Sequence, residues 1–577
     1  MNRSIANILS TKAIWMMCCA SALAQHQPFS GNQTLTYEAC IAAYDSLDKA
    51  SDIATLMDFG STDCGRPLHL FIINKDKVFY PELFDRKKNV LLINNAIHPG
   101  EPDGVDACVM LCRELLLEKS ELLPLLDSTI ICIIPIYNVD GALNRNSHSR
   151  ANQNGPEEYG FRGNARNLDL NRDFIKCDSR NARSFAQMFT RLMPEVMVDT
   201  HVSNGADYPY TMTLITTQCD KLGNEQGKFV KNEMEPALFD MMKNIGHAMC
   251  PYVNTMGRTP ESGLIDFLET PRFATGYAAL FGTIGFTTET HMLKSFDKRV
   301  ESTYQFLVCL LQLMDAKANA IHNQKADAMN IWMKAGSMFL NHEADTSIRN
   351  TFVFNGYIAE EKPADVGTGM RLFYNHNAPW TQPVSYYRKY RGADSVAVPQ
   401  AYIIPQAWDE AVQLMHCNHV KMERLEVDTS MIVTVYYIGT FDTAERPYEG
   451  HYLHSNTEVR SEQHLIKFFM GDYVVHTSQA AVRYIATALE PACDDSFFAW
   501  NFFDSVLQQK EWFSDYVFED IARQLLDTDA SLKAAFENEL KENPSLKESH
   551  WNQLYWIYKH SDYYEPSAYR YPVFRVE

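Results

Sequence analysis

Hydrophobic and polar positions along this 577-residue chain fall into two textures. In the first, short unbroken apolar runs alternate with longer stretches whose apolar residues recur every three or four positions. Residues 90–97 (VLLINNAI), 128–137 (STIICIIPIY), 196–200 (VMVDT) and 283–288 (TIGFTT) are runs of the first kind. A short run without polar alternation suits a strand covered on both faces. Residues 105–119, 184–192 and 229–247 carry the helical period between them. Strands alternating with helices predict an α/β fold, a mixed and largely parallel sheet flanked by helices, over residues 25–325.

The second texture begins at about residue 328. Residues 351–358, 370–374, 401–404 and 422–438 are β-rich, and Met431, Val433, Val435 and Tyr437 share one face at period two. Residues 497–526 and 531–560 read as helices, with an aromatic-rich tail. A boundary is expected between residues 320 and 350, followed by a β-rich domain with terminal helices over 340–577. No internal repeat is visible, and no motif there converts into chemistry.

The N-terminus changes the picture. Arg3 and Lys12 supply positive charge, residues 13–23 are mostly apolar, and Ala22-Leu23-Ala24 has the small-x-small form of a cleavage site. The run is too short to span a bilayer, so residues 1–24 are expected to be a signal peptide and the mature protein periplasmic or extracellular. No membrane span is expected elsewhere. A net charge of −20 argues against a nucleic-acid or anionic-membrane partner. Of thirteen cysteines, Cys18 and Cys19 fall in the signal peptide. Cys108 and Cys112 sit in a helical run as small core residues, and no C-x-x-C pair suggests a zinc ribbon or redox motif.

Candidate chemistry lies at predicted strand ends. His98-Pro-Gly-Glu101 follows one strand and precedes a helix, where open α/β sheets build their sites. His201 directly follows VMVDT and supplies a second imidazole. Two histidines and a glutamate form a recognised catalytic zinc set with an open fourth position. Glu289, at the end of TIGFTT, is a candidate base for a water on such a metal. Asn138-Val-Asp-Gly141, Arg150 and residues 164–173 (NARNLDLNRD) lie between, the last too charged and too rich in Asn for core use.

In this order the motifs resemble the zinc carboxypeptidase family over roughly residues 35–315. Residues 60–68 (GSTDCGRPL), His98-Pro-Gly-Glu101, Asn138-Val-Asp-Gly141, Asp169-Leu-Asn-Arg172, Thr200-His201 and Phe286-Thr-Thr-Glu289 follow the family's sequence of motifs. The resemblance implies one zinc per chain on His98, Glu101 and His201, with Asp169 orienting His98. It implies Glu289 as general base and then proton donor. Asn171 and Arg172 would grip the free C-terminal carboxylate of a peptide substrate. Arg150, with Arg145 competing, is the match for the arginine that polarises the scissile carbonyl. Many members carry a tyrosine well upstream of the glutamate. This chain has Phe267 at that separation, and Tyr277, nearer Glu289, is the substitute expected at the substrate site. Residues 269–277 would shape the specificity pocket, with Arg272 a candidate for acidic side chains.

The reaction expected is hydrolysis of an amide bond, with release of C-terminal residues from peptides. A deacylase or peptidoglycan-stem amidase using the same metal site is the alternative within the enzyme class. An exported binding protein without turnover is the alternative outside it. No G-x-S-x-G elbow or H-E-x-x-H helix supports another hydrolase class.

Overall fold

The structure, a computed structural model, describes residues 31–117 and 120–577; the expected signal peptide lies outside the described residues. An eight-stranded sheet forms the frame, built from β1 (Ala54–Ser61), β2 (Pro67–Ile73), β3 (Asn89–Asn94), β4 (Thr129–Ile134), β5 (Val196–Ser203), β6 (Met212–Thr216), β7 (Cys250–Pro251) and β9 (Ile284–His291). β8 (Leu264–Ile265) pairs elsewhere. The sheet order is β1-β2-β4-β3-β5-β9-β6-β7. β4, β3, β5 and β9 run parallel through its centre, while β1, β2 and β6 join antiparallel. Every residue of β3 and β4 is buried, as their unbroken apolar runs require of strands covered on both sides.

Helices α1 (Tyr37–Ala50), α2 (Asp103–Leu117), α3 (Arg180–Leu192) and α4 (Phe296–Ala316) flank this sheet. One apolar cluster joins Tyr44, Leu111, Cys108, Cys112 and Leu310 to Leu91, Ile93 and Val198. The expected core roles of Cys108 and Cys112 hold, and none of the eleven described cysteines is in a disulfide.

The later region is β-rich with terminal helices, as expected. β10 (Ser337–Ala344) is followed by a long hairpin of β11 (Asn350–Pro363) and β12 (Met370–Tyr387), and a further six-stranded sheet follows. In that sheet Met431, Val433, Val435 and Tyr437 share one cluster. This region does not stand apart. Tyr402, Ile404, Tyr484, Phe497 and Trp500 share a core with Phe185, Phe189 and Leu92 of the α/β part, and β12 pairs with β8.

Two helix expectations are corrected. Helix in residues 497–526 is confined to a 3-10 turn at Asp504–Val506 and the helix Asp515–Thr528. Phe497, Phe498, Trp500 and Phe503 are all fully buried, more than one helix face can bury, so the chain there winds irregularly into the shared core. Residues 531–560 form two helices, Ala530–Glu542 and His550–Lys559, because Pro544 lacks the N–H that a continuous helix needs.

Candidate active site

His98 lies on the loop leaving β3, His201 within β5, and Glu289 within β9, all at the carboxyl end of the parallel centre. Glu101 closes the turn from β3 into α2, its backbone N–H donating to His98 O at 2.8 Å. A Cβ on Gly100 would come within 2.5 Å of Arg150 Cδ, so a residue without a side chain lets Arg150 cross this turn. Buried Arg299 on α4 fixes the surroundings, donating to Asp103 Oδ2 at 2.9 Å and to the carbonyls of Asn154 and Gly155.

His98, Glu101 and His201 are all buried, with one potential ligand atom from each lying within 4.8 Å of the others. Nδ1 of His98 is 3.3 Å from Glu101 Oε1, and Nδ1 of His201 is 3.0 Å from Glu101 Oε2. Metal bonds of about 2.0–2.1 Å to tetrahedral ligands give ligand separations of about 3.4 Å, close to these values. The opposite ring nitrogens are each held by a carboxylate. His98 Nε2 meets Asp169 Oδ1 at 2.9 Å, and His201 Nε2 meets Asp199 Oδ2 at 2.9 Å. This leaves both Nδ1 atoms directed inward, and that of His98 is buried without a hydrogen-bond partner among the described residues. Carboxylates behind imidazoles fix their tautomer and raise their basicity as ligands.

The electrostatics suit a cation. Burial opposes charge on His201, yet Asp199 and Glu101 lift its pKa well above the usual imidazole range. Burial likewise opposes ionisation of Glu101, but Arg150 and His98 hold it well below the usual carboxylate range. Asp169 is also held low against burial, by His98 and Arg162. At Glu289 burial prevails. Burial pushes its carboxyl up to about 8, with His201 opposing and Glu101 adding to the rise.

Two arginines, Arg150 and Arg162, reach Glu101. Arg150 is committed: Nη1 donates to Glu101 Oε1 at 2.8 Å, Nε to Gln153 at 2.6 Å and Nη2 to Val202 O at 3.3 Å. Arg145 turns away, donating to the carbonyls of Leu35 and Glu158. Arg162 donates to Asp169 Oδ2 through Nε at 3.0 Å and sits 3.6 Å from Glu101 Oε1, with 45% of its side chain exposed. Asn171 Nδ2 lies 3.4 Å from His201 Nε2, while its oxygen accepts from Ala274 N. Arg172 lies over Phe273 and donates through Nε to Tyr448.

Tyr277 is a correction. It is fully buried among Phe174, Phe185, Phe189, Phe281 and Tyr484, and its hydroxyl donates to Asn418 Oδ1 at 2.6 Å. It is a core residue and does not reach the substrate site. Arg272 is likewise occupied, donating to buried Asp495 at 2.8 Å.

Asp199, Arg162 and Tyr448 were not singled out by sequence. Asp199 had a signal: it precedes His201 by two on a strand, so both side chains share a face. Arg162 stands just upstream of the polar segment 164–173. Tyr448, 276 residues from Arg172, had none.

An open α/β sheet with a His–Glu–His set at the carboxyl ends of its strands is the architecture of a metal-dependent hydrolase. The zinc carboxypeptidase family model matches residues 41–213, and over that segment the chain is similar to this family of peptidases. It is 22% identical over 433 residues to carboxypeptidase 2 of Trichophyton rubrum, covering 71% of this chain and 73% of that protein. It is 33% identical over 139 residues to carboxypeptidase E of Caenorhabditis elegans, covering 23% and 27%. Among solved structures, carboxypeptidase A from Helicoverpa armigera aligns at 13% identity and TM-score 0.39, covering 54% of this chain and 81% of that one. Among the described residues no helix is long and apolar enough to cross a membrane.

Proposed function

We propose that this peptidase is a zinc-dependent exopeptidase releasing the C-terminal residue of peptides, with one zinc on His98, Glu101 and His201. The observation that carries the reading is the convergence of that buried ligand set with Asn171 and Arg172 on the next loop. Zinc bound there supplies Lewis acidity and lowers the pKa of water from about 15.7 to roughly 7. Asp169 and Asp199 orient the two imidazoles. Glu289, in register beside His201, would be held ionised against its burial by a cation on the neighbouring ligands, and as a carboxylate takes the proton of the attacking water and passes it to the leaving amine. Arg172 and Asn171 bind the substrate carboxylate, since a guanidinium fork matches a carboxylate in geometry as well as charge. Arg162, being the more exposed, faces the scissile carbonyl. Arg150 holds Glu101 ionised and oriented.

The reading extends to the whole chain. Residues 1–24 are a signal peptide removed on export to the periplasm or cell exterior, 25–325 form the catalytic domain, and 340–577 a C-terminal domain docked on it. Support comes from the sequence of the leader and from the core the two parts share.

The test compares a good peptide with its C-terminal amide, on wild type and on Arg172→Met. Wild type should prefer the acid by at least about 30-fold, because breaking a desolvated charge pair costs roughly 2–5 kcal/mol. The variant should treat the two alike. Equal cleavage by wild type refutes the exopeptidase reading and leaves a zinc amidase.

A further inference from the structure

The C-terminal region touches the candidate site through one tight turn. Tyr448 and His451 form an isolated antiparallel bridge, and between them Glu449 adopts φ 50° and Gly450 φ 86°. A left-handed glutamate is uncommon, and surrounding contacts must hold it. Three do. Tyr448 Oη accepts from Arg172 Nε at 2.9 Å, Glu449 Oε2 accepts from the backbone N–H of Asp169 at 2.8 Å, and His451 Nε2 lies 2.8 Å from Asp178 Oδ2. All three partners belong to the stretch that carries Asn171 and Arg172. Behind the turn, the Tyr448 ring stacks on buried Trp500 at 6.3 Å and 22°. Arg272, anchored by Asp495, lies over both rings.

The direction of the first bond matters. Arg172 Nε–H donates to the phenol oxygen, so the Tyr448 hydroxyl proton is not used in that contact and remains to be donated to another acceptor. Nη1 of Arg172 donates to Asn171 O, while Nη2 has no hydrogen-bond partner among the described residues. Tyr448 is 37% exposed, so part of the residue faces solvent. An O–H and a guanidinium N–H held side by side, each with donating capacity left over, describe a subsite for a carboxylate. Glu449 Oε2 accepts from the Asp169 amide, which ties this carboxylate to the backbone of the same stretch, within electrostatic reach of Arg172.

We propose that Tyr448 is a substrate-binding residue, its hydroxyl sharing with Arg172 the terminal carboxylate of the peptide, so that the C-terminal region completes the site. This rests on the exopeptidase reading above. It makes acid-over-amide discrimination a joint property of two parts of the chain, and a catalytic segment ending before the turn has an incomplete carboxylate subsite.

Tyr448→Phe keeps the ring on Trp500 and removes only the hydroxyl. With the peptide acid, KM should rise about ten-fold, in line with loss of a hydrogen bond to a charged group, with a smaller change in kcat. The peptide amide should be cleaved as by wild type, and Tm should not move. A second measurement needs no turnover: calorimetric binding of an N-acyl amino acid to the metal-free protein should weaken about ten-fold in Tyr448→Phe, and binding of its amide should not change. If wild type discriminates acid from amide but Tyr448→Phe matches it in KM and in binding, the assignment is overturned and the exopeptidase reading stands. An equal loss on acid and amide overturns it too, by making Tyr448 a structural support. A wild type blind to the carboxylate overturns both readings.

Discussion

His201 and Glu289 are paired in register on the adjacent parallel strands β5 and β9, which places a metal-ligand candidate and a candidate base side by side. Asp199 and Thr287 are paired two residues earlier on the same strands. With a side-chain period of two, the pleat sends Asp199 and His201 to one face, so a single strand supplies both an imidazole and the carboxylate that orients it.

That pairing makes Glu289→Gln informative. The amide keeps the size and loses the proton acceptor. Zinc content and substrate KM should stay near wild type, while kcat falls about 100- to 10,000-fold. His291 cannot take over, being buried with Nε2 committed to Ala206 O. Turnover within a few-fold of wild type would show that Glu289 is not the base.

Arg150 and Arg162 should separate cleanly. Arg150→Met removes the main charge that keeps buried Glu101 ionised, so zinc retention on dialysis should weaken markedly. Arg162→Met should retain zinc and lose about 100- to 1,000-fold in kcat, the range seen when a donor to a developing oxyanion is removed. Metal analysis alongside kcat decides; the reverse pattern would return the carbonyl role to Arg150.

Tyr277→Phe tests the core placement. Its hydroxyl is the donor to Asn418 Oδ1, and removing one partner of a buried pair costs about 1–3 kcal/mol. The unfolding free energy from denaturant titration should fall by that amount while KM stays at the wild-type value. A raised KM with unchanged stability would restore Tyr277 to the substrate site.

Lys325 gives the stability a pH dependence. Its Nζ is buried, donating to the carbonyls of Met193 and Pro194 at 2.6 Å each, and burial lowers its pKa from 10.5 to about 8. Between pH 8 and 10.5 the unfolded chain therefore binds more protons at this site than the folded one, so stability contributed here rises with pH across that window. Below pH 8 both states are protonated and the cost of burying the ammonium is present in full. Denaturant titrations should show wild type gaining on Lys325→Met as pH rises from 8 to 10; a constant difference would mean that this lysine keeps its ordinary pKa.

The sequence by itself determined the α/β frame and the candidate ligand set. Unbroken apolar runs such as VLLINNAI admit few structures other than buried strands, and residues at strand ends are brought together by the sheet whatever the distant chain does. His98, Glu101, His201 and Glu289 could be found because each sits at such an end. Tertiary structure decided the rest. The aromatic run at residues 497–503 looked helical because composition does not record that all its faces are buried. Tyr277 looked available because spacing along the chain does not say which side of a loop faces the core. Arg150 and Arg162 differ in how many acceptors surround each, a property of the fold alone. The meeting of Tyr448 with Arg172 joins residues 276 positions apart, and only the packing of one half of the chain on the other creates it.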